Sequence, residues 1–347
     1  MWFARLLDHF GSAAAVFAAD RATLSLLDVP DAALEYLRHP DWQRVEQDLI
    51  WLEQPNNHLL RLDDPRYPYL VRQIQYPPPL LFVHGDPDCL RASQLAIVGT
   101  RNPTTLGRET AYRFAAHLAE TGLVITSGLA LGIDAAAHQG ALASGGRTIA
   151  VMGTSLDRVY PAKHRDLAHA IADHGALISE LSTDTPAVAE NFPRRNRLIS
   201  GLALGVLVVE AAIRSRSLIT AQQANEQGRE VFAIPGSIHS PLAKGCHSLI
   251  RQGAKLVEKV DDILEELGAL ATVASKASSP AALPAAVALN DEYQRLLVAI
   301  GDESAGIDLL VERCGLTAND LSSMLLILEL KGYVATVPGG LYRRLKV

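Results

Sequence analysis

The sequence carries only three cysteines in 347 residues, Cys89, Cys246 and Cys314. They are far apart and odd in number, which excludes a disulfide framework and any metal-ligand spacing. Free thiols in a reducing compartment are expected. No run approaches the roughly 18 uninterrupted apolar residues of a membrane span. The first ten residues are interrupted by Asp8 and His9 and lack the cleavage site of a signal peptide. The cytoplasm is the expected location, with no membrane partner. Positive charge is also short: 32 Lys and Arg against 38 Asp and Glu leave a net −6. An overall basic footprint for nucleic acid is therefore excluded, and phosphate binding must come from a local pocket.

Reaction motifs are missing too. There is no G-x-S-x-G elbow, no H-E-x-x-H and no pair of acids at a shared site. The eleven histidines are scattered and read as structural. No catalytic residue, metal or cofactor is expected.

What is present is a globular composition, 48% hydrophobic and 20% charged, in a length that suits two or three domains. Residues 1–57 read as short helices with Leu6, Leu7, Phe10, Val16 and Phe17 on apolar faces. Pro30-Asp31 and Pro40-Asp41 open further helices. The stretch from His58 to Pro79 is rich in aromatics and proline and is expected as an ordered connector. Residues 58–268 then alternate short apolar runs with helix-period stretches. Runs near 80–84, 95–98, 123–126, 148–152, 176–179, 206–210 and 230–234 predict strands. The stretches 107–121, 133–145, 163–174, 217–228 and 246–253 predict helices. This pattern means a mostly parallel sheet covered on both faces, whose ligands bind beyond the carboxyl ends of the strands. An Ala/Pro/Ser linker is expected at 269–288. Residues 289–347 follow as three helices and a hairpin, a winged-helix pattern.

Several candidate residues fall on the carboxyl edge. Asn191-Phe-Pro-Arg-Arg-Asn-Arg197 reads as a cationic loop set into a buried scaffold. Arg194, Arg195 and Arg197 offer planar forks for phosphate, and Phe192 suits a strand whose bases are free to stack. The alternative is a solvated loop with a salt bridge to Glu190 or Glu210. Gly99-Thr100-Arg101 ends one strand before the helix opened by Gly107. It lacks G-x-G-x-x-G spacing, but a helix start there favours an anion. Ser127-Gly128-Leu-Ala-Leu-Gly132 is a second glycine turn. It lacks the Lys-Ser/Thr of a P-loop, which argues against nucleoside triphosphate hydrolysis. Asp134 is expected to cap the next helix, and His138 reads as a helix histidine rather than a base. Lys163, Ser217 and Lys244 lie at further helix starts and loops.

Taken in order, 95–101, 127–138, 191–201, 217–221, 231–237 and 245–257 resemble the successive signatures of the DNA-processing protein A (DprA, or Smf) family. The likeness runs through most of residues 58–267. The flanking helical module (SAM- or helix-hairpin-like) and the winged helix resemble attachments found in many members. The resemblance implies an extended Rossmann-like domain that binds single-stranded DNA, protects incoming strands in natural transformation, opposes single-strand-binding protein and loads RecA. It does not imply an enzyme. It places DNA contacts at Gly99, Thr100, Arg101, Ser127, Gly128, Gly132, Lys163, Asn191, Phe192, Arg194, Arg195, Asn196, Arg197, Ser217 and Lys244. It places a homodimer contact at His247, Ile250 and Leu256.

The chain departs from the family pattern in three places. Leu131 stands where the family usually has arginine, and Arg216 where it usually has glycine. Many members also carry another helix-hairpin segment before the equivalent of Leu6-Leu7.

Two other function classes compete. A nucleoside-monophosphate phosphoribohydrolase would share the fold class but needs a Pro-Gly-Gly-x-Gly-Thr signature, and Pro338-Gly-Gly lies in the wrong domain. A winged-helix transcription factor needs cations on its recognition helix. The expected recognition helix at 318–330 has none, and residues 281–347 hold six Lys/Arg against eight Asp/Glu.

Overall fold

In a computed structural model the chain divides into two units, Met1–Pro280 and Ala281–Val347. The structure describes residues 2–27, 29–267 and a set of positions between 296 and 344. The expected linker at 269–288 lies outside the described residues, as does most of the expected recognition helix at 318–330.

The first unit opens with α1 (Trp2–Phe10), α2 (Ala13–Ala18), α3 (Arg21–Ser25), α4 (Asp31–Arg38) and α5 (Trp42–Leu52). Leu6, Val16, Leu24, Val29 and Leu34 form their small core. Asp41 caps α5, its carboxylate accepting the Arg44 N–H at 3.0 Å, as Pro40-Asp41 leads one to expect.

A nine-stranded sheet follows. Its elements in chain order are β1 (Asn57–Arg61), α6 (Tyr69–Arg72), β2 (Leu80–Gly85), β3 (Gln94–Val98), α7 (Thr105–Glu120), β4 (Val124–Ser127), α8 (Ile133–Ala143) and β5 (Thr148–Val151). Then come α9 (Arg165–His174), β6 (Ala176–Ser179), α10 (Asn191–Leu202), β7 (Gly205–Val208), α11 (Ser217–Glu226), β8 (Glu230–Ala233), α12 (Lys244–Arg251) and β9 (Lys255–Leu256). The strand order is β1-β2-β6-β5-β4-β3-β7-β8-β9. Neighbours from β6 to β9 pair in parallel. The antiparallel β1–β2 hairpin extends the sheet past β6.

The inner strands are largely apolar because both faces are covered, and the buried polar residues among them, such as Thr126, Ser127 and Thr148, are hydrogen-bonded. Ala96 and Val98 enter one core layer, and Leu95 and Ile97 the other. β1 lies, apart from Asn57, inside the stretch expected as a connector. Its sequence, Asn-His-Leu-Leu-Arg, lacks β-branched residues, and its pairing partner supplies the structure: Leu60 sits opposite Leu81.

The second unit contains a three-stranded antiparallel sheet of β10 (Ala305–Gly306), β11 (Val334–Val337) and β12 (Leu341–Arg344), with a helix at Ile307–Cys314. Leu296, Leu297, Ile300, Leu310, Leu321, Leu325, Leu328 and Val334 make its core. The expected hairpin is present, with β10 added at its edge.

Two packing features have measurable consequences. α7 and α8 approach so closely at Gly140 that a Cβ there would meet the Tyr112 carbonyl oxygen at 2.1 Å. Gly140→Ala would gain helix propensity of roughly 1 kcal/mol. The steric clash should win, with a net loss of about 1–3 kcal/mol seen as a lower urea midpoint. An unchanged or higher midpoint would show that the helices can part without loss.

His138 is fully buried on α8. Thr148 Oγ donates to Ile125 O at 2.6 Å, so His138 Nδ1 is the donor in its 2.7 Å contact with Thr148 Oγ. Burial pushes the imidazole down to about 3. The unfolded chain therefore takes up this proton below about pH 6.5 while the folded chain does not. Stability should fall with falling pH through that window, by up to about 1.4 kcal/mol per unit from this group. Chemical denaturation of His138→Gln at pH 4–7 should show a shallower acid slope than the parent.

Candidate nucleic-acid interface

From the central β3 the chain runs outward through β4, β5 and β6, then returns to the other side of β3 as β7. The loops after β3 and β7 thus diverge, where open parallel sheets form a binding crevice. Gly99-Thr100-Arg101 leaves β3 at this point. The Thr100 N–H donates to Glu210 O at 2.7 Å and fastens the two strand ends. The start of α7, expected as an anion site, is already filled. The Glu210 carboxylate accepts the Thr104 N–H at 2.9 Å and the Thr104 hydroxyl at 2.6 Å. A Cβ on Gly107 would lie 2.3 Å from the Glu210 carboxyl carbon. Glycine there admits the protein's own carboxylate. Arg101 stands exposed beside it.

The second glycine turn is also occupied from within. Ser127 is buried, and its hydroxyl donates to Ile97 O at 2.6 Å. Asp134, in the first turn of α8, accepts from the Gly128 N–H at 3.1 Å and the Ala130 N–H at 3.4 Å. It thus secures the preceding loop rather than capping its own helix. Burial pushes this carboxyl up, opposed by the charge of Arg195 and by both N–H groups. Gly132 has φ +85°, and a Cβ on it would strike Thr100 O at 2.4 Å. That contact locks the two glycine turns together.

The arginine-rich stretch is a helix, α10, and not a loop. Arg and Leu are good helix formers, and Pro193 falls in the first turn, where its missing N–H breaks no intrahelical bond. Helical spacing then sends the three arginines to different places. Arg195 is buried, and its Nη1 donates to Gly128 O at 2.8 Å and to Val151 O. Its burial lowers the guanidinium to about 10, with Asp134 opposing and Arg101 adding to the shift. A Cβ on Gly128 would lie 2.7 Å from this guanidinium. Arg197 pairs with Glu180 and donates to Tyr76 O at 2.6 Å. Arg194 reaches the same carboxylate at 3.6 Å but stays mostly exposed. The partner acid is therefore Glu180 rather than Glu190 or Glu210. Asn196 is buried, and Asn191 and Phe192 are half-buried at the start of the helix.

One connected face results. His164 Nδ1 donates to Leu129 O at 2.9 Å, tying the 160–164 segment to the second glycine turn. Phe192 packs against the exposed Tyr160 with ring centroids 5.3 Å apart. It also covers Gly153, where a Cβ would lie 2.7 Å from its ring. Arg101, beside the second glycine turn, Lys163, three residues after Tyr160, and Arg194, two residues after Phe192, are exposed cations on the segments that build this face. Tyr160 was not singled out in sequence; its only signal is proximity to Lys163. The exposed Leu131 adds no charge here.

Ser217, Arg216 and Lys244 belong to the other half of the edge, beyond β7. Ser217 is buried, and its hydroxyl shares a 2.6 Å hydrogen bond with that of Ser215. Arg216 and Lys244 are exposed. His247 Nε2 lies 3.0 Å from Gly236 O, Ile250 is half-buried and Leu256 is exposed on β9. Among the described residues no three His, Cys, Asp or Glu gather to hold a metal ion, and no helix is long and apolar enough to cross a membrane.

The sequence profile of the family described as DNA recombination-mediator protein A matches residues 58–268. A profile described as the DprA winged helix domain matches residues 279–340. Protein Smf of Escherichia coli is 45% identical over 302 residues, which span 86% of this chain and 80% of that protein. The X-ray structure of DNA processing protein A from Streptococcus pneumoniae superposes with a TM-score of 0.65 at 40% identity, over 70% of this chain and 84% of that one. A DNA processing protein A from Helicobacter pylori, solved for its single-stranded DNA binding mode, has a TM-score of 0.56 at 29% identity, over 61% and 96%. The chain belongs to the DNA recombination-mediator protein A (DprA/Smf) family.

Proposed function

We propose that this protein binds single-stranded DNA along the carboxyl edge of its sheet. The observation that carries the reading is the Tyr160–Phe192 ring pair on segments that also expose Lys163 and Arg194, at the sheet edge where Arg101 stands exposed. Cations spaced along a groove hold phosphates, while aromatic faces accept splayed bases of any sequence. The Helicobacter pylori relative, described by its single-stranded DNA binding mode, supports the same chemistry. In this reading Gly99, Thr100, Gly132, Asn191 and Phe192 line the strand. Ser127, Gly128, Arg195, Asn196 and Arg197 support it from behind, and Lys244 extends it past β7 with the buried Ser217 beneath that half of the edge.

The protein works by binding rather than turnover. It protects incoming strands during natural transformation, opposes single-strand-binding protein and delivers the strand to RecA in the cytoplasm. A homodimer through His247, Ile250 and Leu256 would set two faces on one strand and strengthen a modest single-site affinity by avidity.

Fluorescence anisotropy with a labelled homopolymeric strand and a matched duplex, at two salt concentrations, tests this reading. The single strand should bind more tightly and should weaken with salt. Arg101→Ala should weaken it about tenfold and flatten the log–log salt slope by roughly 0.7, the share of one phosphate contact. Phe192→Ala should cost about 1–3 kcal/mol, as the loss of one stacked base does, with the slope unchanged. Duplex binding that is equal or better and insensitive to Arg101→Ala would move the function to the winged helix. Release of free base from a nucleoside monophosphate would restore the enzyme reading.

A further inference from the structure

Residues 180–190 join β6 to α10 and lead directly into Phe192 and Arg194. This connection is longer than the roughly 2–6 residues usual between a strand and the next helix. Its first half is nonetheless fastened on two sides. On one side stands α5 of the N-terminal helices. The Asp48 carboxylate accepts both the Thr183 N–H and the Thr183 hydroxyl at 2.8 Å, and Arg44 donates to the Thr185 hydroxyl at 2.6 Å.

On the other side stands the loop after β5. Ser155 donates to Thr185 O through its N–H at 3.3 Å and its hydroxyl at 3.0 Å. Asp157 accepts the Asp184 N–H at 3.1 Å, and Arg158 pairs with the Asp184 carboxylate. Asp184 itself has φ +59°, a left-handed conformation that aspartate tolerates better than most residues. Residues 186–190 beyond the clamp are all exposed. The two loops that meet in this clamp are those that present Phe192 and Tyr160.

We propose that Asp48, assisted by Arg44, is a positioning residue for the single-strand face: the N-terminal helices hold the 181–185 segment so that Phe192 and Arg194 are set before DNA arrives. This rests on the single-strand reading of that face. Two hydrogen bonds to one carboxylate oxygen remove much of the freedom of a loop that would otherwise be ordered at the expense of binding. Asp48 is an anion, which makes the prediction unusual in sign. Electrostatics alone would have Asp48→Ala strengthen binding to a polyanion; positioning has it weaken.

The test uses the full chain and a labelled homopolymeric strand. Asp48→Ala should lower affinity about tenfold with the salt slope unchanged, because no phosphate contact is lost. Asp48→Asn, whose amide oxygen still accepts from Thr183, should bind nearly as the parent does. Hydrogen exchange of the free proteins should speed up at 181–194 in Asp48→Ala and stay constant in β3, β4 and β5. Affinity equal to or tighter than the parent, with unchanged exchange at 181–194, overturns the proposal. Should Asp48→Ala fail to fold, Thr183→Val removes one of the two bonds without changing charge and is read the same way. If the parent itself ignores single strands, the functional reading fails. The positioning role for a single-strand face then falls with it, and the exchange comparison shows separately whether Asp48 fastens residues 181–194.

Discussion

The Arg195 guanidinium sits inside the first unit, where carbonyl oxygens at the ends of two adjacent strands accept its N–H groups and the Asp134 carboxylate supplies opposing charge nearby. A buried cation is costly without partners, and Arg195, whose Nε has no hydrogen-bond partner, relies on the two carbonyls at Nη1 and on the nearby Asp134 charge, so the pieces that supply them have little room to move. Gly128 must lack a side chain to admit it. The second glycine turn must curl so that its amides reach Asp134 while its carbonyl reaches Arg195. α10 must enter at the angle that carries Arg195 inward, and that angle places Phe192 and Arg194 outward at its first turn. The exposed face therefore inherits its geometry from a charge that never meets solvent.

The same economy shapes the electrostatics. With a net charge of −6 the molecule as a whole repels nucleic acid. Acids also fill places that would suit a phosphate. Glu210 occupies the start of α7, Asp134 the amides of the second turn, and Glu180 two of the arginines. The proposed single-strand face is left with a few exposed cations and two rings, with Arg216 and Lys244 exposed farther along the edge. Such a face favours a flexible single strand, which can bring its phosphates to scattered cations and stack its bases. A stiff duplex needs a continuous charged track. A small number of contacts also makes their prior placement more consequential, which is where the fastening of residues 181–185 to α5 enters.

Much of the fold was legible in the chain itself. Apolar runs ending in glycine or hydroxyl residues marked the strands of the parallel sheet, and the 3.6-residue period marked the helices between them, because burial on both faces favours an apolar composition for an inner strand. The order of signatures from 95 to 257 pointed to the family, and that resemblance, more than the turn after β3 itself, singled out Arg101 as a candidate. Tertiary structure decided the rest. β1 exists because β2 offers it a partner, not because Asn-His-Leu-Leu-Arg prefers to extend. Residues 191–202 are polar at one end and apolar at the other, so they read as a loop until packing supplies a helix. Which arginine turns inward, which acid meets it and which hydroxyl becomes a strut in the core all depend on contacts between residues far apart in sequence. Residue type sets what a side chain can do; its direction and its partner are set by the packing of the whole unit.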